Sequence, residues 1–211
     1  MADPLDDKAF DVLFRDARTY GHWLDRPVTD QTLRALWDLM KWAPTSANSN
    51  PVRILFLRTH EAKQRLVPAL SQGNVAKVLS APVTAIIAYD LHFYDNLPKL
   101  APHNPVLRDH FIADPQLVEV TARRNSSLQG AYFIIAARAL GLDCGPLSGF
   151  DNAKVDEEFF GCGKERDPDA PEFFTAGHYR SNFLCNLGHG DTEKIRPRQP
   201  RLDFEDACRL L

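Results

Sequence analysis

The 211-residue sequence predicts an α+β or α/β sandwich built as one domain over residues 1–211. Three observations predict it. Short β-branched segments bounded by turn residues alternate with amphipathic helical segments, as layered folds require. One long helical segment turns apolar nearly all round in its second half, which marks a helix buried in the interior. No internal repeat and no linker-like stretch divides the chain.

In chain order, Leu5, Ala9, Val12, Leu13 and Ala17 fall at helical spacing and predict a helix over 5–18. Thr29 and Asp30 supply a cap for a second helix, whose Leu33, Leu36, Trp37 and Met40 lie at i, i+3, i+4 and i+7 and predict a core-facing stripe. Val52–Leu57 reads as a strand interrupted by Arg53, and 60–70 and 74–79 read as short helices. The run Pro82–Tyr89 is rich in β-branched residues and suits a central strand. Residues 92–113 hold three prolines, two asparagines and three histidines and read as a long irregular loop, of the kind that covers a pocket. Asp114 then caps, Pro115 suits the first turn, and the strongest helix of the chain runs to Leu140, ended by Gly141. A strand over 142–146, a helix over 152–159, a turn-rich surface insertion over 161–177 and a strand over 182–188 follow. The tail carries Lys194, Arg196, Arg198 and Arg201 before a last helical turn capped by Asp203.

Composition excludes several classes. With 44% hydrophobic and 25% charged residues the chain is globular, and its formal charge of -3 gives no general attraction to nucleic acid. No apolar run approaches the ~20 residues that span a bilayer, and the acidic N-terminus lacks the layout of a secretion signal. A cytoplasmic protein is the expectation. Cys144, Cys162, Cys185 and Cys208 form no Cys-x-x-Cys pair and read as free thiols, with Cys144 either buried in a strand or lining a pocket. The seven histidines show no ligand spacing, so no metal is expected. The nucleophile elbow, the Walker loop and the dinucleotide fingerprint are all missing. With no acid, base or nucleophile on display, the chemistry of an enzyme of this kind would belong to a cofactor.

Two loops and two basic clusters remain. Ala43-Pro44-Thr45-Ser46-Ala47-Asn48-Ser49-Asn50-Pro51 places three hydroxyls and two amides between prolines, suited either to a planar, heteroatom-rich ligand or to an ordinary polar connection. Gly145-Pro146-Leu147-Ser148-Gly149-Phe150-Asp151 also joins a strand to a helix start. Arg18 with Thr19, at the end of the first helix, and Arg196 with Arg198, in the tail, have the chemistry to hold a phosphate through charge-assisted bonds. A solvated basic arm explains the tail equally.

These segments carry a resemblance. Asp16–Thr19, Met40–Asn48, Arg124–Gln129, Ala139–Asp151 and Pro200–Glu205, in this order and spacing, resemble the FMN-dependent nitroreductase superfamily from end to end. Within it the chain looks most like the malonic semialdehyde reductases of pyrimidine breakdown, the RutE type. The resemblance implies a three-layer α/β/α sandwich with a mixed central sheet and a buried central helix. It also implies a homodimer with active sites at the subunit interface and one FMN per site. Carried over by position, Arg18, Thr19, Arg196 and Arg198 would hold the phosphate. Thr45, Ser46, Asn48 and Asn50 would approach the flavin, some of them from the partner subunit, and Asn74 would bond the pyrimidine edge of the ring. The backbone at Leu147, Ser148 and Gly149 would pass near flavin N5, with no side chain singled out as catalytic. The chain departs from the pattern in having Ala17, Arg18 and Gly21 where many relatives carry more cations, which implies weaker FMN retention. A second departure is a longer segment over 163–179.

The implied activity is ping-pong hydride transfer from NADH or NADPH, through the flavin, to a small-molecule acceptor. For malonic semialdehyde the product would be 3-hydroxypropionate, with Arg123 or Arg124 as candidates for the substrate carboxylate. A general nitro- or quinone reductase, a flavin-binding module without turnover and an inert adaptor are the alternatives left open.

Overall fold

The computed structural model describes residues 3–161 and 177–211. The chain opens with α1 (Asp7–Phe10), which widens into a π turn over Asp11–Arg15. α2 (Asp30–Met40) starts at Thr29, whose hydroxyl accepts the Thr32 N–H at 3.1 Å and satisfies an otherwise orphaned donor. Next come β1 (Val52–Leu57), α3 (His60–Leu66), α4 (Gln72–Ser80) and β2 (Val83–Asp90). Two short helices, α5 (Leu97–Leu100) and α6 (Leu107–Ile112), precede α7 (Pro115–Ala139). The Asp114 carboxylate caps α7 by accepting the Leu117 N–H at 3.0 Å, and Gly141 leaves it with φ +76°. β3 (Asp143–Leu147), α8 (Asn152–Phe160), β4 (Tyr179–Gly188) and the single turn α9 (Phe204–Ala207) complete the order.

The strands form one sheet in the order β1-β2-β4-β3, with every neighbouring pair antiparallel. The mixed character expected of the sheet is confined, among the described residues, to an isolated parallel bridge between Thr19 and Cys144. β2 is buried along its whole length, and its alternation defines the layers. Val83, Ala85 and Ile87 face a core completed by Leu33, Leu36 and Met40 of α2 and Phe133, Ala136 and Ala137 of α7. Ile86 and Ala88 face a second core with Leu66 of α3, Val78 of α4 and Val155 and Phe160 of α8. Helices therefore cover both faces, and α7 is the central helix, burying Phe133, Ala136 and Ala137 of its apolar second half while Ala131 and Tyr132 stay exposed.

Several expectations change. The first helix is shorter than 5–18 and none of its residues is buried; Leu5 and Phe14 are 55% and 51% exposed. Ala9, Leu13 and Ala17 of its stripe are only half-buried, with Leu13 held to α7 by Arg138, and a short helix with so little packing holds little regular structure. Trp37 stands 45% exposed on the flank of α2 beside Ile54 and Phe56, so the buried face is Leu33, Leu36 and Met40 alone. Residues 92–113 are not an irregular cover. Phe93, Leu97, Ala101 and Phe111 form a third core with Tyr89 and with Val118 and Ala122 of α7. Pro98 sits in the first turn of α5, where proline starts a helix rather than breaking one. Asp203 precedes α9, but its side chain makes no capping bond. The predicted insertion over 161–177, most of the longer 163–179 segment and Cys162 lie outside the described residues.

Candidate functional site

A cavity of about 800 Å³ opens beside the edge strand β3, where both ends of the chain converge. The converging N-terminal segment is held as a strand-like strap: Thr19 bridges Cys144, the Tyr20 N–H donates to Cys144 O at 3.0 Å, and the Leu24 N–H donates to His189 O at 2.8 Å. This strap lies so close to β3 that a Cβ on Gly145 would stand 2.4 Å from the Tyr20 carbonyl oxygen, so only glycine fits. The tail then crosses the strap. The Arg18 guanidinium donates to the Arg196 carbonyl, and Arg198 donates back to the carbonyls of Arg15 and Ala17, the latter at 3.0 Å. Each end thus supplies a guanidinium to the backbone of the other.

Arg18, Thr19, Leu147, Arg196 and Arg198 line the cavity, as the sequence indicates. Lys77, Arg138, Lys194 and Arg201 line it too, giving seven cations against one carboxylate, Asp191. Beside the single arginine of the 17–21 region, the other cations of the lining come from α4, α7 and the tail. Lys194 donates to Asp191 at 2.8 Å, which raises the ammonium's proton affinity and lowers that of the carboxylate. Burial pushes the Tyr20 phenol up as well. On a chain of net charge -3 this hollow concentrates positive charge, which creates a local potential that attracts anions. Lys77 and Arg138 each left a signal in the sequence. Lys77 stands one turn after Asn74, and Arg138 is the only charge between residues 131 and 139.

Asn74, Ser148 and Gly149 sit just outside the lining. The Gly149 carbonyl accepts the Ser71 N–H at 2.9 Å and Asn74 Nδ2 at 3.0 Å, while Asn74 Oδ1 accepts Lys77 Nζ at 3.0 Å. A Cβ on Gly149 would meet Asn74 Nδ2 at 2.6 Å. Asn74 therefore ties the 147–149 turn to a cavity lysine.

Thr45, Ser46, Asn48 and Asn50 do not reach this cavity within the chain. Their loop lies against the middle of α7. Asn125 Oδ1 accepts the Ser46 N–H at 2.8 Å, and Gln129 bridges the Val52 N–H (3.0 Å) and Asn50 Oδ1 (3.2 Å). Asn48 Nδ2 donates to Leu100 O at 2.8 Å, and the Asn50 N–H donates to Thr45 Oγ1 at 3.2 Å. Ala47, Asn48 and Asn50 all have positive φ, at 55°, 49° and 43°. Such backbone is costly for non-glycine residues and persists where its surroundings over-determine it. From Asn125 to Arg138 the helix rises roughly 20 Å, so a single chain holds the two halves of the predicted site apart.

Arg123 and Arg124 project from the exposed side of α7 and do not line the cavity. Cys144 and Cys185 are buried core thiols and Cys208 is exposed, all three free; Cys144 is not a pocket residue. Among the described residues no group of three or more His, Cys, Asp or Glu side chains is placed to hold a metal. Among the same residues no helix is long and apolar enough to cross a membrane.

An antiparallel sheet sheathed in helices on both faces, with a cation-lined hollow at its edge, defines an α+β layered protein. The chain belongs to the nitroreductase family, which it matches over residues 15–165, more than half its length. It is 54% identical over its whole length, and over all of the relative, to a protein of Rhodopseudomonas palustris (strain TIE-1) whose name, NADH dehydrogenase/NAD(P)H nitroreductase, is itself inferred. Two solved structures share the fold at lower identity. A nitroreductase of Exiguobacterium sibiricum in complex with FMN has a TM-score of 0.77 at 18% identity, with 100% of both chains covered. An NAD(P)H:FMN oxidoreductase of Staphylococcus epidermidis has a TM-score of 0.78 at 15% identity, covering 100% of this chain and 98% of that one.

Proposed function

We propose that the protein is an FMN-dependent NAD(P)H oxidoreductase that works as a homodimer and reduces malonic semialdehyde to 3-hydroxypropionate. The observation that carries the cofactor reading is the cavity closed by both chain ends. Its lining of guanidiniums, ammoniums, the Thr19 hydroxyl and the Asn186 amide is a donor set suited to a phosphate on a polar chain. Arg18, Thr19, Arg196 and Arg198 would hold the phosphate, and Asn74 and the 147–149 turn would meet the ring. Lys77, held beside Asn74, would supply positive charge that favours an anionic reduced flavin. FMN would supply a two-electron carrier between the nicotinamide and the acceptor. The chain's own part is to bind the cofactor, fix its orientation and favour its reduced form electrostatically.

The 45–50 loop enters the same site from a second copy. Its donors and acceptors belong to the reading, and its distance from the cavity in one chain supports a shared site. Reconstitution with FMN tests the function: oxidation of NADH and of NADPH is followed with malonic semialdehyde, a nitroaromatic and a quinone, and 3-hydroxypropionate is assayed. Aldehyde-dependent turnover with stoichiometric product supports the specific activity. Turnover confined to the nitroaromatic or quinone gives the second reading, a general nitro- or quinone reductase, which the name of the R. palustris relative favours. Bound flavin that neither NADH nor NADPH bleaches leaves a flavin-binding module without turnover.

A further inference from the structure

We propose that Arg138 is a phosphate-binding residue of the basic cavity, forming with Arg18 and Arg198 a three-guanidinium clasp around one anion. The inference rests on the FMN reading for the identity of the natural ligand, but not for the anion chemistry itself.

Arg138 stands in the last turn of α7, between the buried Ala137 and the Leu140–Gly141 terminus. It interrupts an otherwise uncharged run, Ala131–Ala139, so a cation is placed there against the character of its surroundings. Its Nη1 donates to the Leu13 carbonyl at 2.9 Å, and its side chain lines the cavity. The contact with Leu13 explains one of the five guanidinium donors. Nε is buried with no hydrogen-bond partner, the state a buried donor rarely keeps. Among the described residues no carboxylate forms a salt bridge with Arg138, whereas Lys194, in the same lining, is paired with Asp191.

The neighbouring arginines share this arrangement. Arg138 reaches Leu13, Arg198 reaches Arg15 and Ala17, and Arg18 reaches Arg196. The Arg138 and Arg198 guanidiniums therefore converge on the short stretch 13–17, and Arg18, next to it, reaches across to the tail at Arg196. Each is anchored to a backbone carbonyl and, among the described residues, none is paired with an acid. A phosphate dianion is the acceptor whose oxygens match several guanidinium forks at once. Arg138 differs from the other two in its support. They lie on the strap and the tail, whereas α7 is capped at both ends and packed into the core, so Arg138 is the fixed member of the clasp.

The test compares binding of FMN and of riboflavin, which lacks the phosphate, to the apoprotein by flavin fluorescence quenching. Wild type, Arg138→Gln and Arg138→Lys are measured, together with the rise in Tm that inorganic phosphate produces at constant ionic strength. Wild type is expected to prefer FMN to riboflavin. Arg138→Gln should lose roughly ten- to hundred-fold in FMN affinity, keep its riboflavin affinity and lose the phosphate-induced rise in Tm. Arg138→Lys should recover part of each. Equal losses for both flavins, or unchanged FMN affinity and phosphate response in Arg138→Gln, overturn the clasp and leave a helix-end contact. Failure of wild type to bind either flavin removes the FMN reading. In that event a phosphate-induced rise in Tm in wild type that Arg138→Gln lacks still supports the clasp, and absence of that rise in wild type refutes it. If Arg138→Gln does not fold, Arg138→Lys decides, since a point charge on a shorter fork should weaken FMN and phosphate binding while sparing riboflavin.

Discussion

Asn125 holds the strained polar loop from outside it. Its amide accepts the Ser46 N–H and donates to both Ser46 Oγ (2.9 Å) and Thr121 O (2.8 Å), and it is 1% exposed. Asn125→Ala leaves the part-buried Ser46 N–H and the Thr121 carbonyl without this partner, so a loss of about 1 kcal/mol or somewhat more is expected in urea unfolding. Asn125→Asp, which keeps the acceptor, should lose less. At the other half of the site, Arg18→Ala should weaken FMN but not riboflavin, read by fluorescence titration; equal affinity of the variant and wild type for FMN would refute its role at the phosphate. The chemistry of both positions is legible in the sequence, since hydroxyl, amide and guanidinium groups declare what they bond. Their places are less so: the loop and the cavity are separated by about half the length of α7, a fact of packing that local patterns do not carry. Lys77 and Arg138 escaped for the same reason, each being an ordinary helical cation until the strap and the tail close over it.

At the scale of elements, what the sequence declares locally it declares well. Thr29, Asp114 and Asp151 each accept a backbone N–H three residues on, because capping needs only neighbours in the chain. The stretch 92–113 misleads because its prolines and histidines mask an i, i+4 pair, Phe93 and Leu97, that finds its partner in α7. Phe93 is fully buried there, and Phe93→Ala should cost about 3–5 kcal/mol in chemical denaturation. The docking of α8 on β4 carries a pH dependence. Asp156, 6% exposed, accepts the Ser181 N–H at 2.7 Å, and burial pushes its carboxyl above the usual range despite that bond. The folded state then holds a proton more tightly than the unfolded one, so this group's contribution falls as pH rises from the ordinary carboxylate pKa through the raised one. Asp156→Asn keeps a side-chain acceptor and removes the buried charge. Its Tm should exceed that of wild type at neutral pH, with the advantage vanishing below the ordinary carboxylate range; a difference in Tm that is flat with pH would refute the assignment.

The whole molecule is mildly acidic yet gathers seven cations into one hollow, and it leaves apolar side chains uncovered on several elements. Phe14 of the π turn, Trp37 of α2, Trp42, Leu128 and Tyr132 of α7, and Leu202 and Phe204 of the tail are all exposed. Single exposed apolar residues need no explanation, but this many, on the first helix, the central helix and the tail together, are what a homodimer would cover. The sequence makes the layered architecture legible through alternation and capping. It leaves the site's assembly illegible, because the strained loop and the basic hollow lie apart in one chain and meet only in the proposed dimer. That yields a prediction specific to the shared site. Arg18→Ala damages the hollow and Asn48→Ala damages the loop, so each homodimer should bind FMN poorly at both of its sites. Mixing the two variants under conditions of subunit exchange gives heterodimers in which one site carries both lesions and the other carries neither. With random exchange half the dimers are mixed, so about a quarter of all sites should regain wild-type FMN affinity and turnover. If hollow and loop instead served one chain, every site in the mixture would keep a lesion and no recovery would follow.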